Sequence, residues 1–309
     1  MDVLDDILAT LALKGVLYFR TQFTAPWAVT VPHLDGAARF HLVVEGRVFA
    51  KVAAGPAIEL GPGDLILVPG GRTHVLSCEP VDDAPPLETV LQDAGYDGNG
   101  VLIAGGGADN APTQMVCGHF AFRDGADHPL LRALPDYLLL SAPLRMRAPW
   151  LDEILRLLTR RVFEAGPGAG AAVTRFSEAA FMEMVRAGAE AAPEMAPVLA
   201  ALSDRQIGRT LTLMHQRPHE VWTVESLATE AGMSRSRYAE KFRGLIGMSP
   251  LAYLSEWRLQ KALALLDNDR CSVQQAAAQT GYLSPAAFTR AFTAKFGASP
   301  TQYRRGRAS

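Results

Sequence analysis

Cysteine is scarce in this chain: Cys78, Cys117 and Cys271 are the only three among 309 residues. So small and odd a number excludes a disulfide framework and predicts reduced thiols that mostly pack inside the fold. Long apolar runs are also missing. No stretch approaches the ~20 uninterrupted apolar residues of a spanning helix. The opening Met1-Asp-Val-Leu-Asp-Asp-Ile-Leu8 is acidic and lacks the basic and apolar blocks of a signal peptide. The expectation is a cytoplasmic protein with no membrane partner.

Net charge is nearly absent at -2, but it is unevenly placed. Residues 204–309 hold 15 Lys/Arg against 8 Asp/Glu, an excess of +7, whereas residues 1–203 hold 15 against 24, a balance of -9. A basic end on an acidic body points that end towards a polyanion. What is plentiful is apolar residue, 49% of the chain, enough for buried cores in a length that suggests two domains.

Three regions read differently. Residues 1–145 are rich in Gly and Pro, with strand-length apolar runs at Phe40–Val44 and Leu65–Val68. Turn signals bound those runs, at Gly61-Pro-Gly-Asp64 and Pro69-Gly-Gly71, which predicts a β domain preceded by one helix at Leu4–Leu13. Residues 146–203 switch to helical spacing. Trp150, Ile154, Leu157, Leu158 and Val162 trace one apolar face, Gly166–Gly170 interrupts it, and a second helix is expected over Thr174–Ala189. Residues 204–305 are helical in short pieces.

That last region repeats itself. Val224–Gly232 aligns with Val273–Gly281 at an offset of 49. Ser234, Phe242, Gly247, Ser249, Pro250 and Tyr253 align with Ser284, Phe292, Gly297, Ser299, Pro300 and Tyr303 at an offset of 50, so one residue is added in the turn. Each copy carries helix-turn-helix punctuation. Thr223 and Ser272 are N-caps, the second within a capping box to Gln275. Gly232 and Gly281 close the first helix of each pair. Ser234 and Ser284-Pro285 start the second. Tyr238 and Phe242, then Phe288, Phe292 and Phe296, form the inner stripes. Such a turn holds the second helix so that its outward N-terminal residues enter a major groove. Those residues are Arg235, Ser236, Arg237, Ala239, Glu240 and Arg243 in copy one, and Pro285, Ala286, Ala287, Thr289 and Arg290 in copy two. A helix over Pro250–Leu266, ~26 Å long at 1.5 Å per residue, would set the two units near one DNA turn apart, ~34 Å.

With Leu227-Ala228, Gly232-Met-Ser234, Gly247-Met-Ser-Pro250, Arg258, Gly281-Tyr282, Phe296-Gly297 and Ser299-Pro300 as further matching points, residues 204–305 resemble the DNA-binding domain of the AraC/XylS family of regulators. The resemblance implies duplex DNA and RNA polymerase as partners, and a homodimer. Arg290 falls where the family commonly has a base-contacting Arg. Glu240 holds the equivalent place in copy one, where the family often has Arg. A carboxylate there repels phosphate but accepts from cytosine N4, which shifts readout towards Arg235, Arg237 and Arg243.

Gly63-Asp-Leu-Ile-Leu-Val-Pro69-Gly-Gly71-Arg-Thr-His74-Val-Leu-Ser-Cys78 resembles the second cupin motif, with Cys78 in the place of an Asn. Phe40–Gly46 resembles the end of the first motif, and Cys117–Phe122 resembles the sensor domain in front of some AraC-family regulators. Metal-binding cupins draw two His and a Glu from the first motif; here Arg39 stands near the Glu place and His41 is the one nearby His. Two readings stay open. His41, His74, Cys78 and Cys117 converge on zinc or a similar divalent ion, or they hydrogen-bond and pack internally. Arg39 suits the carboxylate of an organic effector, with His41 and His74 beside it on the effector.

The expected architecture is α+β and multidomain: a cupin-like β-barrel over 1–145 that senses an effector, a helical linker over 146–203 with a possible dimer role, and an all-α tandem helix-turn-helix domain over 204–305. The expected function is a sequence-specific transcription regulator controlled by a small molecule, with no catalytic residues. Two alternatives are a metal-dependent cupin enzyme using Glu45, His41 and His74, and a DNA-binding protein whose front domain is purely structural.

Overall fold

The computed structural model of the protein describes residues 2–98, 100–106, 111–161, 169–268 and 271–307. Val162 and the expected break at residues 166–168 lie outside them. In chain order the elements are α1 (Val3–Thr10), β1 (Lys14–Thr24), β2 (Ala28–Val31), β3 (Ala37–Glu45), β4 (Val48–Val52), β5 (Ala57–Leu60), β6 (Leu65–Val68), β7 (His74–Ser77), α2 (Leu87–Asp93), β8 (Val101–Gly105), β9 (Thr113–Ala121), α3 (Pro129–Arg132) and β10 (Leu138–Leu140). Helices follow: α4 (Ala142–Met146), α5 (Pro149–Arg161), α6 (Ala169–Ala191), α7 (Ala196–Ser203), α8 (Arg205–Gln216), α9 (Val224–Glu230), α10 (Arg235–Ile246), α11 (Pro250–Leu266), α12 (Val273–Gln279), α13 (Pro285–Phe296) and α14 (Pro300–Arg307).

The chain forms two compact units, and neither is contiguous. One consists of Leu13–Phe122 with Leu134–Glu194; the other consists of Met1–Ala12, Arg123–Ala133 and Met195–Ser309. Residues 1–12 and 123–133, expected within the front domain, therefore belong to the unit that carries the repeat.

The β unit contains two sheets. The larger has the order β10-β6-β3-β9-β1-β8, with only β1 and β8 parallel; the smaller is antiparallel, β2-β7-β4-β5. The expected barrel is thus a sandwich of two sheets among the described residues. Both inner faces feed one core: Val29, Val31, Ala50 and Leu76 come from the smaller sheet, and Phe23, Val43, Ile66 and Met115 from the larger. Alternation places them there, since period-2 side chains face one side. The outer face of the larger sheet is covered by α6, where Phe181 meets Phe120 at 5.0 Å and Phe120 stacks on Phe40 at 5.1 Å. Gly15 permits this contact, because a Cβ there would fall 2.0 Å from the Ser177 Cβ.

The inner stripe of α5 matches the expected one at Leu158 and differs from it elsewhere. Leu151, Leu155 and Leu158 are buried, while Trp150 is 69% exposed. Both stripes have helical spacing, and packing chose the all-leucine one.

The helical unit is built on its caps. Asp2, Asp204, Thr223, Ser249, Ser272 and Ser284 each accept a backbone N–H at a helix start. The aromatic stripes are interior: Tyr238, Phe242, Phe288 and Phe292 are fully buried, each worth roughly 1.5–3 kcal/mol of transfer free energy. The two extra segments dock through paired charges. The Asp6 carboxylate takes Lys261 Nζ at 2.5 Å, Lys295 Nζ lies 2.6 Å from Asp127, and Arg132 joins Asp127 to Glu256.

Candidate nucleic-acid interface and sensor core

In the helical unit, α9 and α10 form the first helix-turn-helix and α12 and α13 the second. Gly232 (φ 64°) and Gly281 (φ 80°) make the turns in the left-handed conformation that glycine tolerates. Each second helix therefore keeps its aromatic face inside and its N-terminal residues outside. Arg235, Ser236, Arg237, Glu240 and Arg243 are exposed on α10, with Ala239 half-buried. Pro285, Ala286 and Arg290 are exposed on α13, with Ala287 and Thr289 half-buried. Arg235 is occupied: its Nε lies 2.7 Å from Glu225 Oε1. Both side chains are exposed, so the pair contributes ~0–1 kcal/mol and gives way readily to a phosphate.

Sequence reasoning missed two features of this surface. Glu225 was read only as a helix residue. Leu283, in the second turn, is 96% exposed; an apolar residue immediately before a capping serine was the available signal. Lys241 is held inward by Asp204 at 2.6 Å and by Gln206 at 3.1 Å, and Arg258 donates to the carbonyls of Pro218 and Glu220 at 2.7 and 2.8 Å. These two basic residues are structural.

In the β unit, β3 sets Arg39 and His41 on one face, and the register pairs His41 with Cys117 on β9. His41 Nε2 lies 2.8 Å from His74 Nε2, His41 Nδ1 lies 3.0 Å from Cys117 Sγ, and His74 Nδ1 lies 2.8 Å from the Arg72 carbonyl. With both histidines neutral, only one proton arrangement satisfies every contact. The carbonyl requires His74 Nδ1–H, so His74 Nε2 accepts from His41 Nε2–H, and His41 Nδ1 accepts from the Cys117 thiol. Electrostatics agree. Burial, with smaller effects from the charges of His74 and Arg39, holds His41 well below the usual histidine range; burial brings His74 down to about 4; burial pushes the Cys117 thiol up to about 12. All three groups are neutral at pH 7.

This geometry corrects the metal reading. Cys117 and His74 sit on opposite nitrogens of one imidazole, so the three cannot converge on one ion, and two Zn–N bonds of ~2.0–2.1 Å do not fit between nitrogens already in hydrogen-bond contact. Cys78 is elsewhere, its sulfur accepting from the Trp27 backbone N–H at 3.3 Å. No group of three His, Cys, Asp or Glu side chains among the described residues is arranged to hold a metal ion. The effector reading of Arg39, His41 and His74 meets a closely packed core in this structure. The space beside Arg39, His41 and Cys117 is about 20 Å³, room for about one water molecule. Glu45, invoked for the enzyme alternative, is exposed and accepts from Gln114 Nε2 at 3.0 Å.

Known families match both parts of the chain, and the front match includes the two segments that pack with the helical unit. A cupin family model matches residues 2–190 and a helix-turn-helix domain model matches residues 227–306. An AraC-like transcription regulator of Streptomyces antibioticus is 30% identical over 311 residues, covering 99% of each chain. The chain belongs to the AraC-type transcription regulators with a cupin front domain. The HTH-type transcriptional regulator AlkR of Acinetobacter baylyi is 28% identical over 98% of this chain and 99% of its own. Among solved structures, the DNA-binding domain of AdpA in complex with a target DNA is 35% identical, covers 34% of this chain and 95% of that one, and has a TM-score of 0.32. In this AraC-type regulator no helix among the described residues is long and apolar enough to cross a membrane.

Proposed function

We propose that this AraC-type regulator binds an operator through α10 and α13, that the cupin unit controls it in response to a small molecule, and that it works as a cytoplasmic homodimer that engages RNA polymerase. The observation that carries the reading is the pair of recognition helices with buried aromatic faces and exposed N-terminal halves. Arg235, Arg237 and Arg243, with Ser236, Ala239 and Glu240, face the DNA from the first unit. Leu283, Ala286, Thr289 and Arg290 do so from the second. The second set is mostly apolar around one Arg, a surface suited to thymine methyl groups and a guanine.

Exposed Met146, Trp150 and Leu157 on α4 and α5 support self-association of the cupin unit. The enzyme alternative has no support in the sensor core: its histidines are neutral, hydrogen-bonded and closed off, and Glu45 is not with them.

The test is a titration of operator duplex across a salt series with single alanine variants. Replacing an arginine that contacts phosphate lowers the salt slope by about one and weakens all sequences alike, whereas replacing one that reads a base relaxes a single position. Variants of α10 and α13 that change neither would refute the assignment.

A further inference from the structure

On the cupin unit a cleft of about 430 Å³ opens between the end of β1, β2, α2 and β8. Phe23, Trp27, Val29, Val90 and Ile103 form its apolar wall, and Asp93 is the one charged side chain among its lining residues. Its volume falls within the ~300–1,000 Å³ typical of small-molecule sites, whereas the space beside His41 is about 20 Å³.

Two further observations mark the cleft as a binding site. Trp27 is 8% exposed, yet its Nε1–H is buried with no hydrogen-bond partner among the described residues. Its ring is fixed against Phe23 at 5.0 Å and its backbone N–H is already used by Cys78. Buried indole N–H groups ordinarily find an acceptor, because an unpaired one costs ~1–3 kcal/mol. On the rim, Ile103 is 62% exposed, apolar surface that a ligand would cover.

We propose that this cleft binds an uncharged, mainly apolar small molecule bearing one hydrogen-bond acceptor, a ketone, ester or amide, which receives the Trp27 Nε1–H. An anion is disfavoured, since the lining offers a carboxylate and no cation. Phe23 and Val29 line both the cleft and the small space beside Arg39 and His41. A ligand in the cleft therefore bears on the side chains that close the sensor core. The regulatory consequence rests on the effector-controlled reading; the binding does not.

The test uses the full-length protein and 6-propionyl-2-dimethylaminonaphthalene, a neutral ketone probe, followed by calorimetry. One probe should bind per chain. Trp27→Phe keeps an aromatic ring, smaller than the indole, and removes the donor; it should weaken the ketone probe about tenfold more than the carbonyl-free 2-dimethylaminonaphthalene, which reports the lost ring area alone, a difference expected for ~1.4 kcal/mol. Ala94→Trp, at an exposed rim position that leaves the core alone, should abolish binding of both compounds. Undiminished binding in Ala94→Trp, or an equal effect of Trp27→Phe on the two compounds, overturns the site. Operator affinity measured with and without saturating probe separates the two claims: a change supports effector control through the cleft, and no change with the Trp27 dependence intact upholds the site and overturns control by it.

Discussion

His215 Nδ1 stands 3.1 Å from Asp6 Oδ2, a contact between residues 209 positions apart within the helical unit. It anchors a chain whose proton directions are determined. Leu130 N–H donates to His128 Nδ1 at 3.1 Å, so His128 Nε2–H donates to the Tyr253 oxygen at 3.1 Å. Asp6 takes the His215 Nδ1 proton, so His215 Nε2 accepts the Tyr253 hydroxyl proton at 2.7 Å. Tyr253 thus joins α1, the 123–133 segment and α8.

Tyr253→Phe removes both central bonds and leaves His128 Nε2–H and His215 Nε2 buried without partners. The expected loss is several kcal/mol, at ~1–3 per orphaned group, read as a lower urea midpoint. Tyr303→Phe, at the aligned repeat position, breaks a half-buried bond to Asp267 and should cost ~1 kcal/mol. Equal effects would show that the chain contributes nothing special.

Acid should weaken the folded state from pH ~6.5 downward, through its buried neutral histidines. His74 is held at about 4 by burial, and His41 and His128 lie well below the usual range for the same reason. The unfolded chain binds these protons near pH ~6.5, so stability from neutral histidines is full above that pH and is lost as pH falls from ~6.5 towards ~4. Asp6 has the opposite sign: burial pushes its carboxyl up, but bonds from His215 and Lys261 win and lower it, so its contribution fails only at or below the ordinary carboxylate range. Urea midpoints at pH 7.5 and 5.0 test this. A flat profile would contradict neutral buried histidines, and His74→Gln should reduce the slope.

Arg290 and Glu240 occupy aligned positions on the two recognition helices and should behave oppositely. Arg290→Ala is expected to cost ~1–3 kcal/mol of operator affinity and relax one position. Glu240→Ala removes a charge that repels phosphate, so nonspecific affinity should rise while any discrimination at its own position falls. Competition binding against single-base operator variants measures both.

Gly232 and Gly281 look equivalent in sequence but not in space. A Cβ on Gly232 meets nothing, whereas one on Gly281 would fall 2.9 Å from His219 Cα and 3.0 Å from Arg258. Gly232→Ala should therefore cost the left-handed penalty, ~1–2 kcal/mol, and Gly281→Ala clearly more, visible as a larger fall in melting temperature.

The helix-turn-helix pair was legible because its signals are local: caps, glycines and aromatic spacing fix the ends and faces of short helices, and α11 runs over the expected Pro250–Leu266. The strand at Leu65–Val68 was legible for the same reason. The membership of α1 was not, because its partners Lys261 and His215 lie more than two hundred residues away and no local pattern encodes a pairing. On α5, two apolar stripes shared one helix and spacing alone favoured neither. The nearness of His41, His74 and Cys117 was legible in the motifs, but their chemistry depends on which nitrogen faces which partner, information held in the β3–β9 register. Trp27 carried no motif; only its burial without an acceptor sets it apart.

The most direct test of the central claim is selection of bound sequences from a random duplex pool by the full-length protein, followed by titration against scrambled DNA at fixed salt. The account predicts a site of two short blocks about one helical turn apart, bound ~10³-fold or more above scrambled DNA. Failure to enrich any sequence, with weak binding lost by ~200 mM salt, would reduce the basic surface to nonspecific electrostatics and contradict it.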